Sequence, residues 1–143
     1  MDAFDADVII YAIIPAHPLG ARVRALFPAG SPAESGAVAG VGSVLLVPEV
    51  LSRPLRDGAS REVTELTELL ARLELYETDR TTADYAAALG ASYRLRAADA
   101  VHLSTAVIAG ADRFITNNVN DFPKTITEID VTYPEELPDP GGR

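Results

Sequence analysis

Four carboxylates in this chain border solidly apolar sequence. They are Asp5 in "FDADVIIYAI", Glu49 after "LLVP", Asp99 at the head of "DAVHLSTAVIAG" and Asp121 at the end of "TNNVND". Glu62, Glu65, Glu68, Glu135 and Glu136 lie among polar neighbours and read as surface charge. Burying an ionised group without partners costs several kcal/mol, so acids at the borders of core elements need a reason. Carboxylates that gather repel one another and push a pKa upward unless a cation sits between them. A divalent ion resolves that conflict, lowers the pKa of a bound water and offsets charge developing on a phosphate. Taken singly, each acid also reads as a helix cap or a surface ion-pair partner, the commonest work of Asp before an apolar run.

Composition removes other chemistries. There is no cysteine, hence no disulfide, zinc-thiolate site or thiol nucleophile. The two histidines, His17 and His102, are far apart in sequence, so carboxylates are left as the ligands, a set that suits Mg²⁺ or Mn²⁺. The net charge is −9, and eleven of the 12 basic residues are Arg, with Lys124 the one lysine. Such acidity argues against nonspecific coating of nucleic acid but leaves room for a local Arg cluster. A length of 143 residues, 48% hydrophobic, predicts one domain with a real core. The apolar run at 8–14 is too short to cross a bilayer and no basic leader precedes it, so the chain is expected in the cytoplasm, with no membrane partner.

The elements that must position the acids alternate between helix and strand. "SVLLV" reads as a buried strand at 44–47, reached through a Gly-rich connector at 36–42. Pro48 then suits the first position of a helix and Glu49 its first turn. "SREVTELTELLARL" carries Val63, Leu66, Leu69, Leu70 and Leu73 at helical spacing, with Ser60 as N-cap. "ELYET" at 74–78 alternates like a strand, and Thr81-x-x-Asp84 opens a helix through Tyr93 in a capping-box pattern. A helix from about Asp99 to Ala109 is stopped by Gly110, and "RFIT" at 113–116 and "ITEIDV" at 126–131 read as strands. This alternation predicts an α/β layer with a mostly parallel sheet. The crevice of such a sheet lies at the carboxyl ends of its strands, which gathers Asp5, Glu49 and the residues after Thr116.

Order and context carry the reading further. The segments "FDADVIIYAI" at 4–13, "SVLLVPEVLSRP" at 43–54, "YRLRAADAVHLSTAVIAGADRFITNN" at 93–118 and "NDF" at 120–122 resemble the PIN-domain family, and within it the VapC-type toxins of toxin–antitoxin pairs. The likeness runs from about Asp2 to Tyr133. It implies a three-layer α/β sandwich with a central, mostly parallel sheet of about four to five strands, in a domain at 1–134; the ending "PDPGGR" has no core to join, so 135–143 reads as a loose tail. The resemblance also implies a metal-dependent endoribonuclease that hydrolyses RNA, with Asp5, Glu49 and Asp99 as the first three acidic residues of the site. The fourth position departs from the common pattern. Asn118 stands where many members have Asp, while "NVNDF" fits a subgroup in which Asp121 would supply the carboxylate. Mg²⁺ or Mn²⁺ would then be held by Asp5 and Asp99, with Glu49 and Asp121 completing the shell or orienting a second ion.

The likeness also moves a boundary. By the period of two, "VII" first reads as mid-strand with Asp5 and Asp7 on one face. The resemblance ends the strand at Asp5 and makes "VIIYAI" a helix, with Asp7 as its N-cap. Thr116, at a strand end, suits a turn or a hydroxyl bond to a carboxylate or phosphate. Arg53, Arg56, Arg94 and Arg96 suit phosphate binding or ion pairs within the protein. His102, one helical turn past Asp99, reads better as a buried histidine bonded to a neighbour than as a catalytic base. His17 reads as exposed, and Tyr85 and Tyr93 as core filling. A homodimer and a protein antitoxin are implied by the resemblance alone. Alternatives in other classes are a PIN nuclease without an antitoxin and a degenerate PIN domain serving as a binding or dimerisation module.

Overall fold

The computed structural model describes residues 1–28 and 38–141 of the chain. Along it run β1 (Asp2–Phe4), α1 (Ala6–Ala12), α2 (Pro18–Arg24), β2 (Gly40–Ser43), α3 (Leu46–Arg56) and α4 (Ser60–Leu70). There follow β3 (Leu73–Tyr76), α5 (Arg80–Tyr93), α6 (Ala97–Ile108), β4 (Arg113–Ile115), β5 (Asp130–Thr132) and a 3-10 turn, Pro134–Glu136. The five strands form one sheet in the order β3-β2-β1-β4-β5, every neighbouring pair parallel.

That order explains the layers. Crossovers between parallel strands are right-handed, so the steps β1 to β2 to β3 place α1 through α4 on one face. The return from β3 across to β4 places α5 and α6 on the other. The core divides accordingly. Val8, Ile9, Val23, Leu46, Val50, Leu66 and Leu69 pack on one side with Phe4 and Ile115. Leu89, Leu103, Ala106, Phe122 and Ile129 pack on the other with Ala3 and Phe114. Successive residues of β1 and β4 thus feed opposite layers, the period of two in a sheet covered on both sides. The chain reverses its direction of travel between β1 and β4, and ligand crevices of open α/β sheets lie at such a switch.

Several boundaries differ from the sequence-based expectation. The strand expected at 44–47 lies earlier, at β2, in the glycines expected to be a connector; residues 36 and 37 lie outside the described residues. All four residues of β2 are buried. A Cβ on Gly40 would stand 2.2 Å from the Asp2 carbonyl oxygen, so the strand approaches β1 more closely than a larger residue permits. "LLVPEV" instead forms a turn and the start of α3, where Leu46, Val50 and Pro54 share a buried face at helical spacing. A short apolar run does not distinguish strand from helix. Pro48 is therefore the third helical residue, although Glu49 does fall in the first turn. Ser60 lies inside α4 rather than capping it, and the cap of α5 is Asp79, whose carboxylate accepts from Thr82 N at 2.8 Å. The last strand is confined to Asp130–Thr132, with Ile126 and Ile129 buried in the loop before it.

The segment expected to be loose from 135 onward is packed as far as Leu137. This residue is buried in the core, and Arg22 donates to the carbonyls of Glu135 and Leu137. His17 is half-buried rather than exposed. It caps α2 by accepting from Gly20 N at 3.1 Å, and its ring stacks on Tyr11 at 4.7 Å.

The α1–α2 contact sets up a test. A Cβ on Gly20 would lie 2.0 Å from the Tyr11 carbonyl oxygen. Helix propensity alone favours Ala over Gly by about 1 kcal/mol in a helix interior, but overpacking costs about 1–3 kcal/mol. Gly20→Ala should therefore lower the melting temperature, and a rise would show that α1 and α2 are not in this contact.

Candidate active site

Asp5 follows β1 directly, and its backbone N–H donates to Ile115 O of β4 at 2.9 Å, closing the two strands at the switch. The residue is 6% exposed. One carboxylate oxygen accepts from Ala6 N at 2.8 Å, which makes Asp5 rather than Asp7 the N-cap of α1. The other accepts from the Thr116 hydroxyl at 2.8 Å. The same hydroxyl oxygen accepts from Asn118 N at 3.1 Å, so one buried Thr ties the first acid to the loop leaving β4. Asp7, expected as the cap, sits in the first turn of α1. Its Oδ2 accepts from Asn117 N at 3.0 Å and its Oδ1 from its neighbour Val8 N at 2.7 Å. Both acids of "DAD" therefore hold the chain after Thr116.

The other acids reach the same place from different elements. Asp99 lies in the first turn of α6 and Glu49 in the first turn of α3, which is entered by a turn in which the buried Ser43 hydroxyl accepts from Leu45 N at 3.1 Å. The loop 117–121 supplies Asp121. Asn118 donates through its amide to Asp121 Oδ2 at 2.8 Å and accepts from Asp121 N at 3.2 Å. The two candidates for the fourth position are thus a linked pair, in which the amide orients the carboxylate. His102, buried on α6 one turn past Asp99, bonds through Nε2 to Glu49 Oε1. Spacing from Asp99 places His102 on the same side of α6 but carries no signal for Glu49, so this partner is one that the sequence does not reveal. Arg96 is the N-cap residue of α6 and is exposed, with no hydrogen bond or ion pair to the acids among the described residues.

Electrostatics bind these groups into one cluster. Burial raises the pKa of Asp5; His102, Thr116 and Ala6 N–H oppose this, and Glu49 adds to it. Burial also raises Asp7, to about 7, with the charges of Asp5 and Asp99 adding and the Asn117 and Val8 amides opposing. Asp99 is raised by burial, then by Asp5 and Asp121, with His102 opposing and Glu49 adding. Burial disfavours charge on His102, but its bond to Glu49 and the charges of Asp5, Glu49 and Asp99 outweigh it, so its pKa is raised. Three acids thus resist ionisation together, the condition that a divalent cation relieves. Hard carboxylate oxygens fit Mg²⁺ or Mn²⁺ by chemistry. Among the described residues no three Asp, Glu, His or Cys side chains close around one point as a metal cage. Mg²⁺ keeps several waters and is commonly held by one or two carboxylates, so the donor set suits a hydrated ion rather than a protein cage.

Asp7 gives the cluster a signature in pH. In the unfolded chain its carboxyl loses its proton near 3.8, in the folded protein near 7. Between those values the folded state holds a proton that the unfolded state does not. Its contribution to stability is present at low pH and is lost as pH rises to about 7, by at most ~1.4 kcal/mol per pH unit. In EDTA, the melting temperature of Asp7→Asn relative to the native chain should climb between pH 5 and about 7 and level off above. A difference that stays constant with pH would mean Asp7 is ionised throughout.

No curated protein matches this chain. A solved structure of like fold is a toxin–antitoxin complex from Klebsiella pneumoniae, with a TM-score of 0.71 and 20% identity, covering 96% of this chain and 100% of that chain. At that identity the likeness concerns the fold. The family model that matches is the PIN domain, over residues 3–125. That span begins in β1, ends in the loop beyond β4 and contains Asp5, Glu49, Asp99 and Asp121, and the chain belongs to the PIN-domain family.

Proposed function

We propose that this chain is a Mg²⁺-dependent endoribonuclease, hydrolysing RNA phosphodiester bonds as the toxin of a toxin–antitoxin pair. PIN domains are generally nucleases and typically use divalent metals. The observation that carries the reading is the placement of Asp5 and Asp121 by Thr116 and Asn118 at the β1–β4 switch, beside Asp99, on which the charges of Asp5, Asp121 and Glu49 all bear. Asp5 and Asp99 would hold Mg²⁺ or Mn²⁺, with Glu49 and Asp121 completing the set. When bound, the ion lowers the pKa of water and offsets charge on the phosphoryl group.

The chain's own residues prepare that site. Thr116 fixes one oxygen of Asp5, Asn118 orients Asp121, and Asp7 pins the intervening loop by its hold on Asn117 N. No side-chain nucleophile is required. Exposed Arg53, on α3 one turn past Glu49, and Arg96, before Asp99, are the cations placed to meet RNA phosphates. A groove of about 450 Å³ runs from Glu49 and Arg53 over Ile10, Ile13 and Ile14, an apolar surface suited to a protein partner such as an antitoxin segment. The structure of like fold was solved as a toxin–antitoxin complex, which favours the same partner class. No helix among the described residues is long and apolar enough to cross a membrane.

A second reading, a PIN-type binding or dimerisation module without catalysis, draws on the lack of a three-ligand cage among the described residues. Metal response separates the two. Ligand at a hundred times its Kd stabilises a fold by about 2.7 kcal/mol, so saturating Mn²⁺ should raise the melting temperature clearly. The purified chain should cleave structured RNAs in Mg²⁺ and not in EDTA. Asp5→Asn should stay folded and lose that cleavage. Cleavage surviving in Asp5→Asn sinks the catalytic assignment, and a melting temperature indifferent to millimolar Mn²⁺ with intact RNA selects the module.

A further inference from the structure

The link between His102 and Glu49 crosses the sheet. Glu49 starts α3, in the layer with α1 and α4, whereas His102 sits in the middle of α6, in the opposite layer. The His102 side chain is 0% exposed and that of Glu49 is 36% exposed. A ring so enclosed reaches neither solvent nor a substrate at the crevice. Nε2 bonds to Glu49 Oε1, and Nδ1 is buried with no hydrogen-bond partner. The Glu49 carboxylate is therefore held through one oxygen, and the other has no protein donor among the described residues. Nε2 carries a hydrogen whether the ring is neutral or charged, provided Nδ1 is the bare nitrogen in the neutral form. The unpartnered Nδ1 agrees with that tautomer, because a bare lone pair lacks a hydrogen that would go unbonded.

We propose that His102 is a positioning residue that fixes the Glu49 carboxylate for metal binding by donating Nε2–H to Oε1, touching neither ion nor RNA. A long side chain on the first turn of a helix otherwise samples several rotamers, and ordering it on metal binding opposes affinity. Partners that hold a ligand's far oxygen typically matter 10–100-fold in metal affinity or activity. The inference rests on Glu49 belonging to the metal site proposed above.

The experiment is titration of the full chain with Mn²⁺ alone, followed by calorimetry, alongside RNA cleavage. His102→Asn and His102→Gln carry the same amide, but only Gln extends it as far as Nε2. Asn should weaken Mn²⁺ binding about 10-fold or more, and Gln should recover most of the loss. In a Glu49→Ala background His102→Asn should produce little further change, because a residue acting through Glu49 has nothing left to position. Equal Mn²⁺ affinity in His102→Asn and the native chain overturns the positioning role while leaving the metal site standing. The same holds if Asn costs as much without Glu49 as with it, or if Gln is no better than Asn. A native chain that binds no Mn²⁺ overturns the metal site and this inference together.

Discussion

The structure turns on one buried charge. Asp5 sits where β1 ends, at the point where the chain's path through the sheet reverses, and a carboxylate there has little water to stabilise it. Its protein partners are the Ala6 amide and the Thr116 hydroxyl, one from each of the two strands' continuations. Those two bonds oppose the burial without cancelling it, since the pKa remains raised. Everything around Asp5 can be understood as accommodating that deficit. The helix begins at Asp5 because its carboxylate caps it, and the loop after β4 bends back because Thr116 is already committed to Asp5 and to Asn118 N.

The neighbouring acids make the deficit larger. Glu49 raises Asp5 further, the charge of Asp5 in turn raises Asp7 and Asp99, and the charge that opposes this is a histidine that the protein also buries. An apolar replacement of such a cluster would be the more stable choice for a domain selected for stability alone. Local rules are broken most often at functional sites, with the rest of the fold compensating. Here the compensation is visible in the close, fully buried β2 and in two well-filled layers, with Phe4, Leu46, Leu69, Leu103 and Phe114 almost wholly enclosed.

Much of this was legible in the sequence, for identifiable reasons. Helical spacing in "SREVTELTELLARL" and the apolar helix after Asp99 carry the α/β alternation, and the alternation of "ELYET" at 74–78 and the run "RFIT" at 113–116 fall within a residue or two of the strands observed at 73–76 and 113–115. The four acids could be picked out because each borders such an element. What failed was local. "SVLLV" has strand composition, yet the strand is the preceding glycine-rich segment, because contact with β1 rather than side-chain propensity selects residues there. Asp5 and Asp7 compete for one cap, and the winner depends on where β1 lets go, which spacing does not encode. Leu137 looked like tail because its partners, among them α2 and Arg22, are over a hundred residues away.

His102 illustrates the remaining gap between sequence and site. Its spacing from Asp99 puts it on the right face of α6, but nothing in that spacing tells that Glu49, fifty-three residues earlier, comes to meet it. The meeting requires α3 and α6 to flank opposite faces of the same sheet and both to reach its carboxyl edge. It follows that the cluster is assembled by both layers at once. Asp5 and Asp7 come with α1, Glu49 with α3, Asp99 and His102 with α6, and Asp121 with the loop packed beneath Phe122. A shift of either layer against the sheet separates acids that local sequence places correctly. The geometry of the site is therefore a property of the packed core, and an alteration deep in either hydrophobic cluster acts on the carboxylates as directly as one beside them.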